Sequence, residues 1–311
     1  MMRELKWKTT LTLSCVVALL LLVQPASSKE PKRPRILGIQ SVAISSSNVS
    51  ASKDFYVKAI APGGRALSEH NDVCVWCEKN PVERASLLAL PGGQVVVLAS
   101  NPTNSTNLLN SVTYVVDDER KLKKYLKARG VKVTEQAGPG GEPRHILSAL
   151  DPESHQLLFV QSRVRTQGNP RIIHAGFIVR DRAAMEHFYK DILGFRPYWH
   201  GGMKDDQTDW VSLQVPDGTD WVEFMVNVRD NADQRLRGIM NHIALGVPDI
   251  QAAREQLVKN GMHLTEEPKL GRDGKWQLNL YDPDLTRIEF MEFTPKEKPC
   301  CSEFTGPHPK P

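Results

Sequence analysis

One short pattern occurs twice between Ile172 and Phe293, and it limits what this chain can fold into more than any other feature. The first copy opens with Ile173-His174-Ala175-Gly176-Phe177-Ile178-Val179 and closes with Trp221-Val222-Glu223-Phe224-Met225. The second opens with Asn241-His242-Ile243-Ala244-Leu245-Gly246-Val247 and closes with Arg287-Ile288-Glu289-Phe290-Met291. His to Glu spans 49 residues in the first copy (174 to 223) and 47 in the second (242 to 289). Each His begins an alternating apolar run and each Glu interrupts another, so all four belong to strands with one apolar face. Two histidines and two glutamates, placed equivalently in two repeats, match the donor set of a divalent-metal site.

Alternation also assigns faces. Gly176 shares a face with His174, and Ala244 and Gly246 share one with His242, which predicts free space for a ligand beside the imidazoles. Glu223 and Glu289 share faces with Met225 and Met291. A buried, unpaired carboxylate costs several kcal/mol, so both glutamates need a cation or strong hydrogen bonds. The alternative is core histidines with glutamates paired to Arg or Lys. That suits a single His better than a repeated set of four.

From Ile36 the periodicity reads strand, helix, strand, strand, strand, and the order recurs four times, an α+β pattern. The first unit has strands at 39–44, 73–76, 86–90 and 95–98, with Asn48 as a cap for a helix over 51–60. The second has strands at 112–116, 131–133, 145–149 and 157–160 and a helix over 119–129. The third has a strand at 174–179, a helix over 183–193 stopped by Gly194, and strands near 196–199, 210–215 and 221–226. The fourth has a strand at 242–247, a helix over 250–259 stopped by Gly261, and strands at 262–265, 276–281 and 287–293. Aligning the units puts Ser41, Ser111, His174 and His242 at one position and sets Leu158 opposite Glu289. Val95-Val96-Val97-Leu98 contains no Glu either, so the N-terminal half repeats the architecture without the ligands.

At 311 residues, with 40% hydrophobic and 24% charged residues, the chain can build two ordinary cores. A net charge of +4 with no basic run interleaved with aromatics argues against nucleic acid as a partner. Arg3, Lys6 and Lys8, the apolar run Leu11 to Val23, and Pro25-Ala26-Ser27-Ser28 read as a signal peptide over 1–28. This predicts export to a periplasmic or extracellular space with no stable membrane insertion after cleavage; an N-terminal membrane anchor is the alternative. In an oxidising compartment Cys74, Cys77, Cys300 and Cys301 can form disulfides, including one from the Cys300-Cys301 pair back to the CxxC pair. Residues 163–170 read as a linker, and the Pro- and Lys-rich 295–311 as a flexible tail.

These residues resemble the vicinal oxygen chelate superfamily, which includes glyoxalase I, extradiol dioxygenases and fosfomycin-resistance proteins. The resemblance runs from about Ile36 to Phe293. It is strongest at 174–179, Phe188-Tyr189, Leu193-Gly194-Phe195, 242–249, Asn260-Gly261 and Tyr281-Asp282-Pro283-Asp284. It implies βαβββ modules paired into two cup-shaped mixed sheets with helices outside: an N-terminal pair over 36–162 without metal ligands and a C-terminal pair over 170–294 with the metal site. It implies His174, Glu223, His242 and Glu289 as ligands to iron(II), zinc, manganese, nickel or cobalt. His174, His242 and Glu289 alone match the iron(II) triad of extradiol dioxygenases, although Trp276 and Gln277 stand where those enzymes carry a further His.

On this resemblance the chain is expected to be a metal-dependent lyase, isomerase or ring-cleaving dioxygenase that chelates two neighbouring oxygens of a small substrate. The alternative is a non-catalytic protein that binds a small molecule. Glu223 is the candidate base, and Tyr281 and His200 are candidate acids, bases or donors at the cup wall. Trp210, Trp221 and Trp276 form either an aromatic wall or ordinary core. The expected assembly is a monomer or homodimer. Export argues against a cytosolic thiol such as glutathione as co-substrate.

Overall fold

Alternating apolar positions sort the strands into two sheets, each with one face turned to a shared core. The computed structural model describes residues 30–60, 85–100, 108–137, 145–161 and 168–311. The signal-peptide segment 1–28, the strand expected at 73–76 with Cys74 and Cys77, and the loop 138–143 lie outside them. The first sheet holds β1 (Ile36–Ser46), β2 (Ala85–Ala89), β3 (Val95–Ser100), β4 (Leu109–Val116), β5 (Val133–Ala137), β6 (His145–Leu150) and β7 (Gln156–Gln161), in the order β2-β3-β1-β4-β7-β6-β5. The second holds β8 (Arg171–Ile178), β9 (Arg196–Gly201), β10 (Trp210–Gln214) and β11 (Trp221–Met225). It continues with β12 (His242–Val247), β13 (Lys269–Leu270), β14 (Trp276–Tyr281) and β15 (Arg287–Glu292), in the order β13-β14-β15-β12-β8-β11-β10-β9.

In both sheets each module's opening strand lies parallel to its own closing strand and antiparallel to the opening strand of the next module. Thus β8 runs parallel to β11, β12 parallel to β15, and β8 and β12 meet antiparallel at the centre. The four strands that carry the His and Glu positions are therefore neighbours, and the cup floor is built from them.

The helices α1 (Val49–Ile60), α2 (Glu119–Ala128), α3 (Arg182–Glu186) and α5 (Ile250–Lys259) start where a side-chain oxygen can take an orphan N–H. Asn48 Oδ1 accepts from Ala51, and Asp118, Asp181 and Asp249 accept from the residue three positions on. The third unit's helix departs from regular geometry: α3 passes into a π-helical segment, His187–Ile192, before Gly194 ends it at φ 78°. Gly261 ends α5 the same way at φ 79°, a left-handed angle that suits glycine. A short helix α4 (Gln234–Met240), with no expectation behind it, leads into β12. The strand expected at 262–265 is absent; a two-residue β13 stands further on, where Lys269 and Leu270 pair with β14.

Apolar residues from the outer faces of both sheets and from the helices form one core, with Ile39, Tyr114, Ala175, Phe177, Phe224, Leu245 and Phe290 among them. A smaller aromatic cluster, centred on Tyr198, Trp199 and Trp221, lines the inner face of the second sheet. Here the structure corrects the flexible-tail expectation. Phe304 packs 4.9 Å from the Tyr198 ring, Thr305 N–H donates to the Tyr198 carbonyl, Gln214 donates to the Pro307 carbonyl, and Arg171 donates to the Lys310 carbonyl. The tail is too polar to fold alone, but its few apolar side chains meet rings that the sheet leaves uncovered. The pairing that the sequence left open is also settled for two of the cysteines: Cys300 and Cys301 are bonded to each other.

Candidate metal centre

Strand register carries two rows of side chains across the middle of the second sheet. One row runs Ser212, Glu223, Gly176, His242, Arg287. The other runs Trp221, His174, Ala244, Glu289, Asn279. Neighbouring strands stand about 4.8 Å apart. Glu223 and His242 therefore flank Gly176, His174 and Glu289 flank Ala244, and the four long side chains lean together over two small residues.

The donor atoms converge. His174 Nε2 lies 3.0 Å from His242 Nε2, 4.0 Å from Glu223 Oε2 and 3.5 Å from Glu289 Oε2. His242 Nε2 lies 3.4 Å from Glu223 Oε2 and 3.7 Å from Glu289 Oε2. Donors about 2.1 Å from a central ion stand about 3.4 Å apart in tetrahedral geometry. His174, Glu223 and His242 form a group of that size, and Glu289 lies beside both imidazoles. The protonation states agree. Burial, and next the neighbouring His242, hold His174 well below the usual imidazole range; burial, and then Arg287, do the same for His242. His242 Nδ1 faces the Met240 carbonyl at 3.3 Å, which fixes its proton there and leaves the Nε2 lone pair inward. A cation relieves the crowding of imidazole lone pairs and carboxylates at this place; without one, protons held by the buried carboxyls do so.

Burial raises the Glu289 carboxyl from its ordinary 4.5 to about 7, against the lowering effect of Arg287, and raises Glu223 as well. Asp273 behind them rises to about 6, again mainly by burial. Without metal, the folded state thus holds protons that the unfolded chain has released by pH 5. Below about pH 6.5 the two histidines work the other way, since the unfolded chain protonates imidazoles that the folded state keeps neutral. The carboxyl contribution is uncovered above that, so stability of metal-free protein is expected to fall as pH rises from about 6.5 to 7.5. Loaded protein escapes this loss because the ion replaces the protons. Urea midpoints at about pH 6.5 and pH 7.5, with chelator and with metal, check this; a chelated protein more stable at the higher pH contradicts it.

The small residues do not leave space in the way the alternation suggests. A Cβ on Gly176 would stand 2.0 Å from His242 Cε1, and one on Gly246 would stand 2.3 Å from Phe293. The room is already taken, by the second imidazole in one case and an aromatic ring in the other. Gly176 is what lets His242 reach the cluster.

The other expected residues fall as follows. Glu223 is the least buried of the four expected ligands, and its Oε1 accepts from Ser212 Oγ at 3.3 Å. The Tyr281 hydroxyl donates to Glu266 at 2.6 Å and has no contact with the quartet. His200 sits opposite Val211, a residue of the outer core, and its side chain is exposed; the register that turns Trp199 inward turns His200 out. Neither therefore stands at the metal donors. Trp221 and Trp210 belong to the inner cluster, whereas Trp276 packs on the outer core. Lys275 and Ser212 were not anticipated. Lys275 could have been found by carrying the alternation of Asn279 and Gln277 back two positions, which places it on the inner face. Its side chain is fully buried, and burial lowers its amine to about 8 despite Asp273 and Glu289 nearby.

The first sheet has the same register without the chemistry. Ala43 pairs with Val97 and Ser111, and Thr113 pairs with Leu158. Val97 and Leu158 thus occupy the places of Glu223 and Glu289, and Ser111 that of His242. Among the described residues no metal-ligating group is found on that sheet.

Comparison with known proteins agrees with this geometry. Residues 171–290 match the family model described as Glyoxalase/Bleomycin resistance protein/Dioxygenase superfamily. Lactoylglutathione lyase from Haemophilus influenzae is 29% identical over 124 residues, covering 39% of this chain and 92% of that protein. The fold matches the 2,3-dioxygenase LapB from Pseudomonas sp. KL28 with a TM-score of 0.60 at 14% identity, covering 90% of this chain and 96% of the other. It also matches the anaerobic substrate complex of homoprotocatechuate 2,3-dioxygenase from Brevibacterium fuscum, with a TM-score of 0.57 at 15% identity, covering 89% and 84%. The C-terminal part of the chain, over residues 171–290, thus belongs to the glyoxalase, bleomycin resistance and dioxygenase (vicinal oxygen chelate) superfamily, and the fold of the whole matches two-cup relatives.

Proposed function

We propose that this chain is an exported, divalent-metal-dependent enzyme that acts on a small oxygenated substrate held through two neighbouring oxygens. The observation that carries this reading is the convergence of His174, His242, Glu223 and Glu289 on one point, with every donor atom 3.0–4.0 Å from both or one of the imidazole nitrogens. A bound ion supplies Lewis acidity to the substrate's oxygens. His174, His242 and Glu289 are the most enclosed donors and hold the ion. Glu223 is the more accessible carboxylate, and it is the residue suited to take a proton from the substrate. Ser212 Oγ donates to its Oε1, which orients the group and leaves Oε2 turned to the imidazoles.

Export is part of the proposal and rests on the sequence pattern of residues 1–28. The choice among lyase, isomerase and dioxygenase chemistry is the object of the test. Protein purified without oxygen or chelator is expected to contain about one equivalent of a divalent metal, measured by inductively coupled plasma analysis. Glu289→Ala is expected to lose it. Unchanged metal content in Glu289→Ala would refute the ligand assignment. Oxygen uptake with a panel of catechols then separates dioxygenase chemistry from the redox-neutral reactions.

A further inference from the structure

Lys275 is fully buried, yet its Nζ has no hydrogen-bond partner among the described residues. An ammonium taken out of water costs several kcal/mol unless something replaces its hydration. Three rings do part of this. Nζ lies 4.7 Å from the Trp221 ring centre, 5.1 Å from Phe304 and 5.6 Å from Tyr198. Attraction to ring faces uses the charge and leaves all three N–H donors unspent. The Trp221 ring also lies 4.6 Å from that of His174, so the ammonium stands one ring away from the metal donors.

A lysine kept only to neutralise Glu223 and Glu289 would pair with one of them, and no such ion pair is formed within 4.0 Å. A methionine or leucine would fill the same aromatic box without the desolvation cost. We propose that Lys275 is a second anchor for the substrate: the cup takes a compound that carries an anionic oxygen group, a carboxylate being the simplest, beside the two oxygens directed to the metal. This rests on the chelating role proposed above and narrows it to an acidic substrate. Phe304 is the wall that the anionic group replaces, because it alone of the three rings comes from outside the sheet.

The test is calorimetric titration of the full-length, metal-loaded protein with 3,4-dihydroxybenzoate and with 3,4-dihydroxybenzamide. These present the same pair of hydroxyls and differ in the charge of the third group. The acid is expected to bind at least about tenfold more tightly, and Lys275→Met is expected to remove that difference while leaving metal content and amide affinity unchanged. Equal binding of acid and amide by the unaltered protein overturns the proposal, as does a preference that persists in Lys275→Met. The first comparison needs no variant, so equal binding refutes the proposal even if Lys275→Met does not fold. Titration of chelated protein with benzoate and benzamide separates the two readings. A benzoate preference that depends on Lys275 supports the anchor even in protein that takes up no metal, whereas loss of metal with no such preference defeats both.

Discussion

Gly176→Ala is expected to weaken metal binding by about two orders of magnitude, although it adds one methyl group. The added Cβ would lie 2.0 Å from His242 Cε1 and 2.5 Å from His242 Nδ1. Backbone is not what it meets, so the chain has a way out. The imidazole swings aside, and the clash becomes a displaced ligand more than a lost fold. Overpacking costs of about 1–3 kcal/mol are usual for such a change, and relief by rotation of His242 keeps the cost at the low end. The measurement is metal affinity by competition with a chromophoric chelator, alongside urea unfolding. Gly261→Ala serves as a control. It meets nothing within 4 Å but sits at φ 79°, so it is expected to cost about 1 kcal/mol and leave metal affinity alone. Wild-type metal affinity in Gly176→Ala would show that the two imidazoles do not share one ion.

The second large effect lies at the seam between the sheets. Arg171 Nη1 pairs with Asp220 Oδ1 at 2.7 Å, and both side chains are almost fully buried. Asp220 Oδ2 also accepts the Ile39 N–H at 2.9 Å, and Arg171 holds the Lys310 carbonyl, so this pair ties together β1, β8 and the tail. Burial raises the Asp220 carboxyl even though Arg171 opposes it, a sign that desolvation outweighs the attraction. Such a pair adds little net stability when whole, yet is costly to break, because removing one charge strands the other. Asp220→Ala is therefore expected to cost about 3–5 kcal/mol. Asp217→Ala, at the partly exposed pair with Arg33, is expected to cost about 1 kcal/mol. Denaturant unfolding of both variants gives the comparison, and an Asp220→Ala loss no larger than that of Asp217→Ala would sink the argument.

Much of the centre was legible in the sequence because its logic is local. Period-two alternation puts His174, Glu223, His242 and Glu289 on one face of their strands, opposite a face that is apolar apart from Glu292 at the end of β15. The apolar Val97 and Leu158 at the two glutamate positions of the first sheet were legible for the same reason. Tyr281 and His200 misled because nearness in sequence to a motif carries no direction. Tyr281 is spent on Glu266, and pairing with Val211 beside the inward Trp199 turns His200 away.

By itself, then, the sequence determined most of the order of elements, the faces of the strands and the four candidate donors, because these depend on residues within a few positions of each other. Only the tertiary structure decided that Gly176 makes room for an imidazole, that Lys275 is enclosed by rings from three separate segments, and that the tail lies across the cup. Each of these joins residues far apart in the chain, and their meeting depends on strand register and on which rings the sheet leaves uncovered. No local periodicity encodes that.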